Sequence, residues 1–188
     1  MSGNIRSFFS FDIEDQNIIR RLTEAQGMLI NTGADLKIVK PQNIHLTVRF
    51  LGNISPSMVD AIYEEMKQLS FTPFEIELTG IGAFPKLTYP RVVWAGIRKG
   101  ADELKDVFEQ LEPRLRGLGF KPDRKGFSPH LTIARVRGGR NKAQLINLIR
   151  ELEDYEFGTI KAECFRLKKS DLTPKGPIYT TLREVYGS

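Results

Sequence analysis

The chain has 188 residues, two histidines, one cysteine and a formal net charge of +5, which favours a polyanionic partner such as RNA without establishing one. Its length suits one large domain or two small lobes, and the single cysteine, Cys164, excludes an intramolecular disulfide and is typical of a reducing compartment. The N-terminal residues lack the basic stretch and apolar core of a signal peptide, and no segment is apolar for long enough to cross a bilayer, so we expect a cytoplasmic protein that binds no membrane.

The first part of the chain predicts alternating strands and helices. Asp15 is placed to cap a helix, because Ile18 and Leu22 follow it at helical spacing. Ser55 and Pro56 open a second helix, since serine is a common cap and proline fits the first turn. In order, we predict a strand over 6–12, a helix after 15 that stops at 31–33, a strand over 44–51, a helix from 55 to about 69, and strands over 74–78 and 91–97 joined by a loop over 80–85.

The same order of elements then begins again. Leu104, Val107 and Leu111 form the apolar stripe of a helix over 101–118, in which Pro113 predicts a kink or a break. Further along we predict a strand over 128–136, a helix over 143–152, and strands over 157–167 and 178–185.

The only two histidines of the chain begin two copies of one four-residue motif. The copies are His45-Leu46-Thr47-Val48 and His130-Leu131-Thr132-Ile133. These residue types favour extended backbone, and successive side chains of a strand point to opposite faces. Each copy therefore presents an imidazole and a hydroxyl on one face and buries two apolar side chains on the other. A single histidine on a strand is usually structural, whereas two in identical settings indicate a shared function.

The spacing of the two copies indicates an internal duplication. His130 lies 85 residues after His45, and Arg91 lies 85 residues after Arg6. Two copies are too few for a solenoid, so we expect residues 1–188 to form one bilobal domain with pseudo-two-fold symmetry. The predicted fold class is α+β, with two antiparallel sheets flanking a central cleft and helices outside. Such symmetry places equivalent residues on either side of the cleft.

Two histidines across a cleft are suited to acid and base catalysis on a phosphodiester. A neutral imidazole takes a proton from the attacking water or hydroxyl, and an imidazolium protonates the departing oxygen. Thr47 and Thr132 are placed to donate hydroxyls to the phosphoryl oxygens where negative charge grows. With two histidines, one cysteine and no acidic residue beside either motif on its active face, a metal site is poorly supported.

Two arginines and several aromatic residues are candidates for binding the substrate. By alternation Arg49 shares the face of the first motif, whereas Arg135 points away unless a bulge or a twist brings it back; each is equally well explained as a surface salt-bridge partner. Aromatic side chains in strands are more often packed, but five are also candidates to stack a base at the cleft rim: Phe9, Phe50, Phe84, Phe127 and Tyr179.

The chain resembles the 2H phosphoesterase superfamily and, within it, the RNA 2′,3′-cyclic phosphodiesterase family, also called 2′-5′ RNA ligases. The hallmark of that superfamily is two His-x-Thr-x motifs, and further likeness lies in residues 50–52, Pro129, residues 134–135, residues 90–96 and residues 170–179. Similar sequences often carry another basic residue at Arg49 and leucine at Val48 and Ile133.

The resemblance implies hydrolysis of an RNA 2′,3′-cyclic phosphate to a 2′-phosphate without metal or cofactor. It further implies that His45 is the proton donor to the leaving 3′ oxygen and that His130 is the proton acceptor from water. The expected partner is an RNA with a cyclic phosphate end, tRNA fragments included, and the expected state is a monomer. Two alternatives remain open: ligation of RNA ends through a 2′-5′ linkage, and a non-catalytic module that binds RNA ends.

Overall fold

The computed structural model describes residues 3–188, which form two antiparallel sheets and four α-helices. A short 3₁₀ turn, Pro41–Asn43, precedes the first motif strand. The elements, in chain order, are β1 (Ile5–Asp12), α1 (Gln16–Asn31), β2 (Leu36–Ile38), β3 (His45–Ile54), α2 (Met58–Met66), β4 (Phe74–Lys86), β5 (Tyr89–Lys99), α3 (Ala101–Gly117), β6 (Leu131–Val136), α4 (Lys142–Glu151), β7 (Glu156–Ala162), β8 (Cys164–Thr173) and β9 (Gly176–Tyr186).

Each sheet combines strands from both halves of the chain. The first sheet has the order β3-β1-β8-β9, and the second has the order β2-β6-β5-β4-β7. Strand β3, which carries the first motif, is an edge strand, and its Cα atoms approach those of the second motif strand, β6, within 8 Å. The prediction of an α+β fold with two antiparallel sheets is confirmed.

The helices cover the outer faces of the sheets in a crossed arrangement. Helix α1 packs on β6 and β7 of the second sheet together with α4, whereas α3 contacts β3 and α2 contacts β9 of the first sheet. Helix α1 begins as predicted, because Asp15 Oδ1 accepts hydrogen bonds from the backbone N–H groups of Asn17 and Ile18. No helix within residues 3–188 is long and apolar enough to cross a membrane.

The two faces of each sheet differ in polarity. In the first sheet, Phe11 pairs with Leu46 and Phe9 pairs with Leu167, and all four side chains are buried on the face that α2 and α3 cover. The opposite face carries the polar residues of the same strands. We call this face, and the face of the second sheet opposite the buried pair Val93 and Ala134, the cleft face. Apolar burial of about 25 cal/mol per Å² fixes which face is inward and hence where the motif side chains point.

Three local expectations are wrong. Residues 80–85 are not a loop, because β4 continues through them and pairs with β5 as far as Lys86. The predicted strand over 157–167 is two strands in different sheets, separated at Glu163. Helix α3 runs through Pro113 to Gly117. Alternation of residue types detects a strand, but it does not show where the chain passes from one sheet to the other.

Candidate active site

Both motif histidines make the same hydrogen bond to the chain that precedes them. Nδ1 of His45 lies 2.7 Å from the carbonyl oxygen of Asn43, and Nδ1 of His130 lies 2.7 Å from that of Ser128. Because a carbonyl oxygen only accepts, Nδ1 must carry the proton in each ring. Nε2 is thereby left as the proton acceptor of a neutral ring and as a donor of a charged one.

Aromatic side chains pack against each imidazole. The ring of His45 lies 4.8 Å from Phe8 and 5.0 Å from Tyr179, measured between centroids. The ring of His130 lies 4.8 Å from Phe84, edge to face. Burial lowers the pKa of both histidines below the ordinary value, which the hydrogen bonds to Asn43 and Ser128 offset only in part. Both rings therefore favour the neutral form at pH 7.

The motif threonines occupy the same faces as the histidines. Thr47 pairs with Ser10 of β1, and Thr132 pairs with Trp94 of β5, so both point to the cleft face. Both are half-buried, and neither hydroxyl makes a side-chain hydrogen bond to another group within residues 3–188. The hydroxyl groups are thus free to donate to a ligand.

A β-bulge interrupts each motif strand directly after the threonine. In β3 the two neighbours of Val48 pair with consecutive residues of β1, so Val48 has no partner. In β6 the same is true of Ile133 and β5. One extra residue exchanges the two faces for the positions that follow, as far as the next irregularity, because side chains alternate. The repeated sequence therefore has a repeated backbone irregularity, which alternation counted along the chain does not detect.

The bulge in β3 turns Arg49 away from the motif. Arg49 lies opposite Phe9 on the core face, where its Nε is 2.5 Å from Glu112 Oε1 of α3. Its guanidinium also donates to the carbonyl oxygens of Phe50 and Lys121. The prediction that Arg49 shares the face of the motif and clamps a phosphate is wrong, because the bulge shifts the alternation by one. Arg49 instead joins β3 to the helix that covers it.

The bulge in β6 has the opposite effect on Arg135. Arg135 pairs with Val92 of β5 and Lys37 of β2 on the cleft face, and its side chain is exposed. Alternation alone predicts that Arg135 points away from the motif, and the bulge returns it to the face of the motif. In addition to burial, the positive charge of Arg135 lowers the pKa of His130. Arg135 is thus the arginine beside the motif.

Phe9 does not belong to the site. Its side chain is 0% exposed and stacks on Phe165 with a centroid distance of 5.2 Å. The prediction that Phe9 binds substrate is wrong, because the register of β1 places it on the core face. Its neighbour Phe8 faces the cleft instead and contacts His45. Two consecutive phenylalanines cannot be assigned to faces until the pairing of β1 with β3 is known.

The other aromatic candidates divide into exposed and packed residues. Phe50 is 59% exposed on the cleft face, 5.9 Å from Phe8, and is available to stack a base. Tyr179 is half-buried against His45. Phe127 stacks on Phe108 of α3 and is a packing residue.

Asp12 is a site residue that the sequence reasoning missed. It pairs with His45 across β1 and β3, and its carboxylate accepts hydrogen bonds from Lys168 (2.7 Å), Arg166 (2.9 Å) and Ser10 (2.9 Å). Burial raises the pKa of Asp12, but Lys168, Ser10 and Arg166 outweigh it, so the pKa lies below its ordinary value. The ionised carboxylate favours protonated His45, against the larger effect of burial.

The equivalent position beside His130 holds no acid. Ala95 pairs with Leu131, so the same register places Gly96 beside His130. A Cβ at Gly96 would lie 2.7 Å from the carbonyl oxygen of Thr79, so no side chain fits there. His45 therefore has the Asp12 carboxylate and the Lys168 ammonium group beside it, whereas His130 has the Arg135 guanidinium, so the charges around the two imidazoles differ.

A chain of neighbouring side chains connects the two motifs. Strands β3 and β6 are adjacent, Tyr179 contacts the ring of His45, and Arg135 acts on both His130 and Tyr179. Burial raises the pKa of Tyr179, and the charges of Arg135 and Arg6 partly oppose it. Tyr179 beside His45 and the imidazole of His130 thus both lie near the charge of Arg135.

The side chains present are poorly suited to a metal ion. No group of three or more His, Cys, Asp or Glu side chains that could hold a metal lies within residues 3–188. Asp12, the carboxylate nearest to His45 in the sheet, is engaged by two cations. We therefore describe the site through its own acids, bases and hydrogen-bond donors.

Comparison with known proteins agrees with this geometry. The model of the LigT-like phosphoesterase family matches residues 13–94 and 96–179. The RNA 2′,3′-cyclic phosphodiesterase of Aeropyrum pernix is 42% identical over 89% of this chain and 96% of its own, and that of Methanocaldococcus jannaschii is 37% identical over 96% and 99%. A solved Thermus thermophilus structure has a TM-score of 0.79 at 27% identity, covering 97% of both chains. Escherichia coli LigT in complex with 3′-AMP, at 21% identity, has the same fold, with a TM-score of 0.79 over 98% of this chain and 99% of its own. Paired motifs, two antiparallel sheets and near full-length similarity lead to one conclusion: the chain belongs to the LigT-like phosphoesterase family.

Proposed function

We propose that this enzyme hydrolyses the 2′,3′-cyclic phosphate at the end of an RNA to a terminal 2′-phosphate, without a metal ion. The observation that carries the proposal is the pair of imidazoles, one at the start of β3 and one directly before β6, on two strands that approach each other. Each has Nδ1 bound to a carbonyl oxygen, and neither Nε2 has a hydrogen-bond partner within residues 3–188. The relatives named RNA 2′,3′-cyclic phosphodiesterase support the same reaction.

The charge asymmetry supports a division of roles between the histidines. His130 beside Arg135 favours the neutral form, so its Nε2 takes the proton from water as the water oxygen attacks phosphorus. Asp12 favours the protonated form of His45, although burial and the charge of Lys168 oppose it. As the bond from phosphorus to the 3′ oxygen breaks, Nε2 of His45 gives its proton to that oxygen. The products are a 2′-phosphate and a 3′-hydroxyl.

The threonines and Arg135 act on the negative charges of the RNA phosphates. Thr47 and Thr132 donate hydroxyls to the non-bridging oxygens, and donors aimed at developing charge are typically worth 10²–10³ in rate. Arg135 attracts the RNA backbone beside the reacting phosphate and holds its register in the cleft. Phe50 and Tyr179 hold the terminal base by stacking.

We further propose a cytoplasmic monomer that acts on RNA ends such as those of tRNA fragments. In this setting the enzyme needs no nucleotide or metal, and the substrate is the only partner. Sedimentation of the purified chain with and without RNA tests the monomeric state directly.

The activity is tested with an RNA that ends in a 2′,3′-cyclic phosphate, incubated with a chelator. We expect conversion to a 2′-phosphate, identified by ³¹P NMR or by its resistance to a 3′-specific phosphatase. A 3′-phosphate product would contradict the proposed roles of the two histidines, and no turnover between pH 5 and 9 would leave only binding. Paired half-molecules in the same assay report ligation as a longer product.

The rate should depend on pH through the two lowered histidine pKa values. Catalysis requires protonated His45 and neutral His130, so kcat/KM should be bell-shaped with its maximum below the ordinary histidine pKa of 6.5. Asp12→Asn removes a negative charge that favours protonated His45. The alkaline limb should therefore move to lower pH, which lowers the rate at pH 7.5.

The acid limb and a matched variant provide the controls for this profile. Protonation of His130 produces the acid limb of the kcat/KM profile, and the position of this limb should not change in Asp12→Asn. Glu14→Gln removes an exposed carboxylate that also pairs with Arg166, and should leave both limbs unchanged. An unchanged alkaline limb in Asp12→Asn would show that the carboxylate does not act on His45.

A further inference from the structure

Two basic side chains stand directly opposite each other on the cleft face of the second sheet. Lys37 of β2 pairs with Arg135 of β6, and both side chains are exposed. Directly opposed residues have Cβ atoms about 5 Å apart, and like charges at such positions repel. Positive charge is thus concentrated at the edge of the second sheet. A bound anionic ligand would reduce the repulsion between the two side chains.

The protein does not neutralise this pair. Within residues 3–188, no carboxylate lies within salt-bridge distance of Lys37 or Arg135, whereas Arg166 on the first sheet contacts three carboxylates. Asp35, next to β2 along the chain, is bound instead by Arg137 at 3.2 Å. Within residues 3–188, Lys37 and Arg135 at the edge of the second sheet therefore have no carboxylate partner, whereas Arg166 of the first sheet has three.

The distance from the second motif to Arg135 and Lys37 corresponds to the length of one nucleotide. The partners of Thr132 and Arg135 on β5 are two residues apart, which is about 7 Å at the rise of a strand. This is comparable to the spacing of neighbouring phosphates along an extended single strand. An RNA whose terminal phosphate reaches Thr132 and His130 brings its next phosphodiester to Arg135 and Lys37.

We propose that Lys37, together with Arg135, forms a second phosphate subsite, which binds the phosphodiester immediately upstream of the terminal nucleotide. The proposal rests on the proposed function and narrows its substrate class to oligonucleotide ends in preference to nucleoside cyclic monophosphates. Lys37 is then a specificity residue that contacts RNA but not the reacting phosphate.

The test compares Lys37→Gln with the unchanged enzyme on two substrates. One is a nucleoside 2′,3′-cyclic monophosphate, which has no upstream phosphate, and the other is a dinucleotide that ends in a 2′,3′-cyclic phosphate. We expect kcat/KM for the dinucleotide to fall about tenfold, the loss of one charged contact, while that for the mononucleotide stays unchanged. The salt dependence of dinucleotide binding should weaken by about 0.7 in slope.

Two further variants and a binding measurement complete the design. Lys37→Arg should restore the dinucleotide rate, and Lys105→Gln, which removes an exposed lysine of α3, should match the unchanged enzyme on both substrates. An equal loss on both substrates, or none on either, would overturn the subsite. Binding of an oligonucleotide with a 2′-phosphate end separates the two proposals. If Lys37→Gln weakens that binding while no variant hydrolyses any substrate, the subsite stands and the proposed function fails.

Discussion

Replacing either motif histidine by alanine should reduce the rate of cyclic phosphate hydrolysis by about 10²–10⁴-fold, because each removes one of the two proton transfers. His45→Ala and His130→Ala should each show this loss with RNA affinity nearly intact, since phosphate attraction is spread over many basic residues. The double variant should be little slower than either single one, because the two groups act as a unit. Single-turnover assays and fluorescence anisotropy measure the two quantities separately.

The residual activities of these variants also separate the two roles. His130→Ala should lose the acid limb of the pH profile, and His45→Ala should lose the alkaline limb. The reverse assignment of limbs would exchange donor and acceptor while leaving the paired mechanism intact. Loss of RNA affinity in parallel with rate would indicate that the histidines bind RNA and do not transfer protons.

Removing both motif hydroxyls is the change with the next largest effect. Thr47→Val and Thr132→Val keep the shape of each side chain while deleting the donor to the phosphoryl oxygens. Each should lower kcat by about 10-fold to 10²-fold, and together they should approach the 10²–10³ that is typical of such donors, with KM little changed. The hydroxyls have no partner to lose within residues 3–188, so the midpoint of thermal unfolding should hardly move.

A strand threonine outside the cleft is the matched control. Thr180 of β9 is exposed, pairs with Lys169 on the face opposite Tyr179, and is flanked by strand residues as the motif threonines are. Thr180→Val should leave kcat unchanged. A rise in KM without a fall in kcat for the motif variants would mean that the hydroxyls bind the ground state and transition state equally.

Much of the architecture could be predicted because the chain repeats itself. Both motifs contain their own face assignment, since a histidine and a threonine two residues apart must share a side. The offset of 85 residues then predicted paired lobes. What alternation could not reveal is the bulge after each threonine, which sends Arg49 to the core face and Arg135 to the cleft face. A bulge arises from pairing with another strand, so its signal is not in the strand's own pattern.

Alternation along one strand also does not reveal which residues of the neighbouring strands lie beside the site. Asp12 lies beside His45 only because β1 pairs antiparallel with β3 in one register, and Lys37 lies beside Arg135 only through the pairing of β2 with β6. A shift of one residue would place either side chain on the other face. Strand pairing and the bulge place Asp12 near His45 and Arg135 near His130, so the difference in charge between the two histidines is a property of the fold and not of the motif.

Both imidazoles should contact one phosphate, and because the chain has only two histidines this contact can be measured directly. In protein labelled with ¹⁵N at histidine, titration with a nucleoside 2′-monophosphate should shift the Nε2 resonances of His45 and His130 along one binding curve with a single Kd. The bound anion should also raise the pKa of both rings. Two different curves, or a response from one ring alone, would show that the histidines belong to separate sites and would contradict the mechanism.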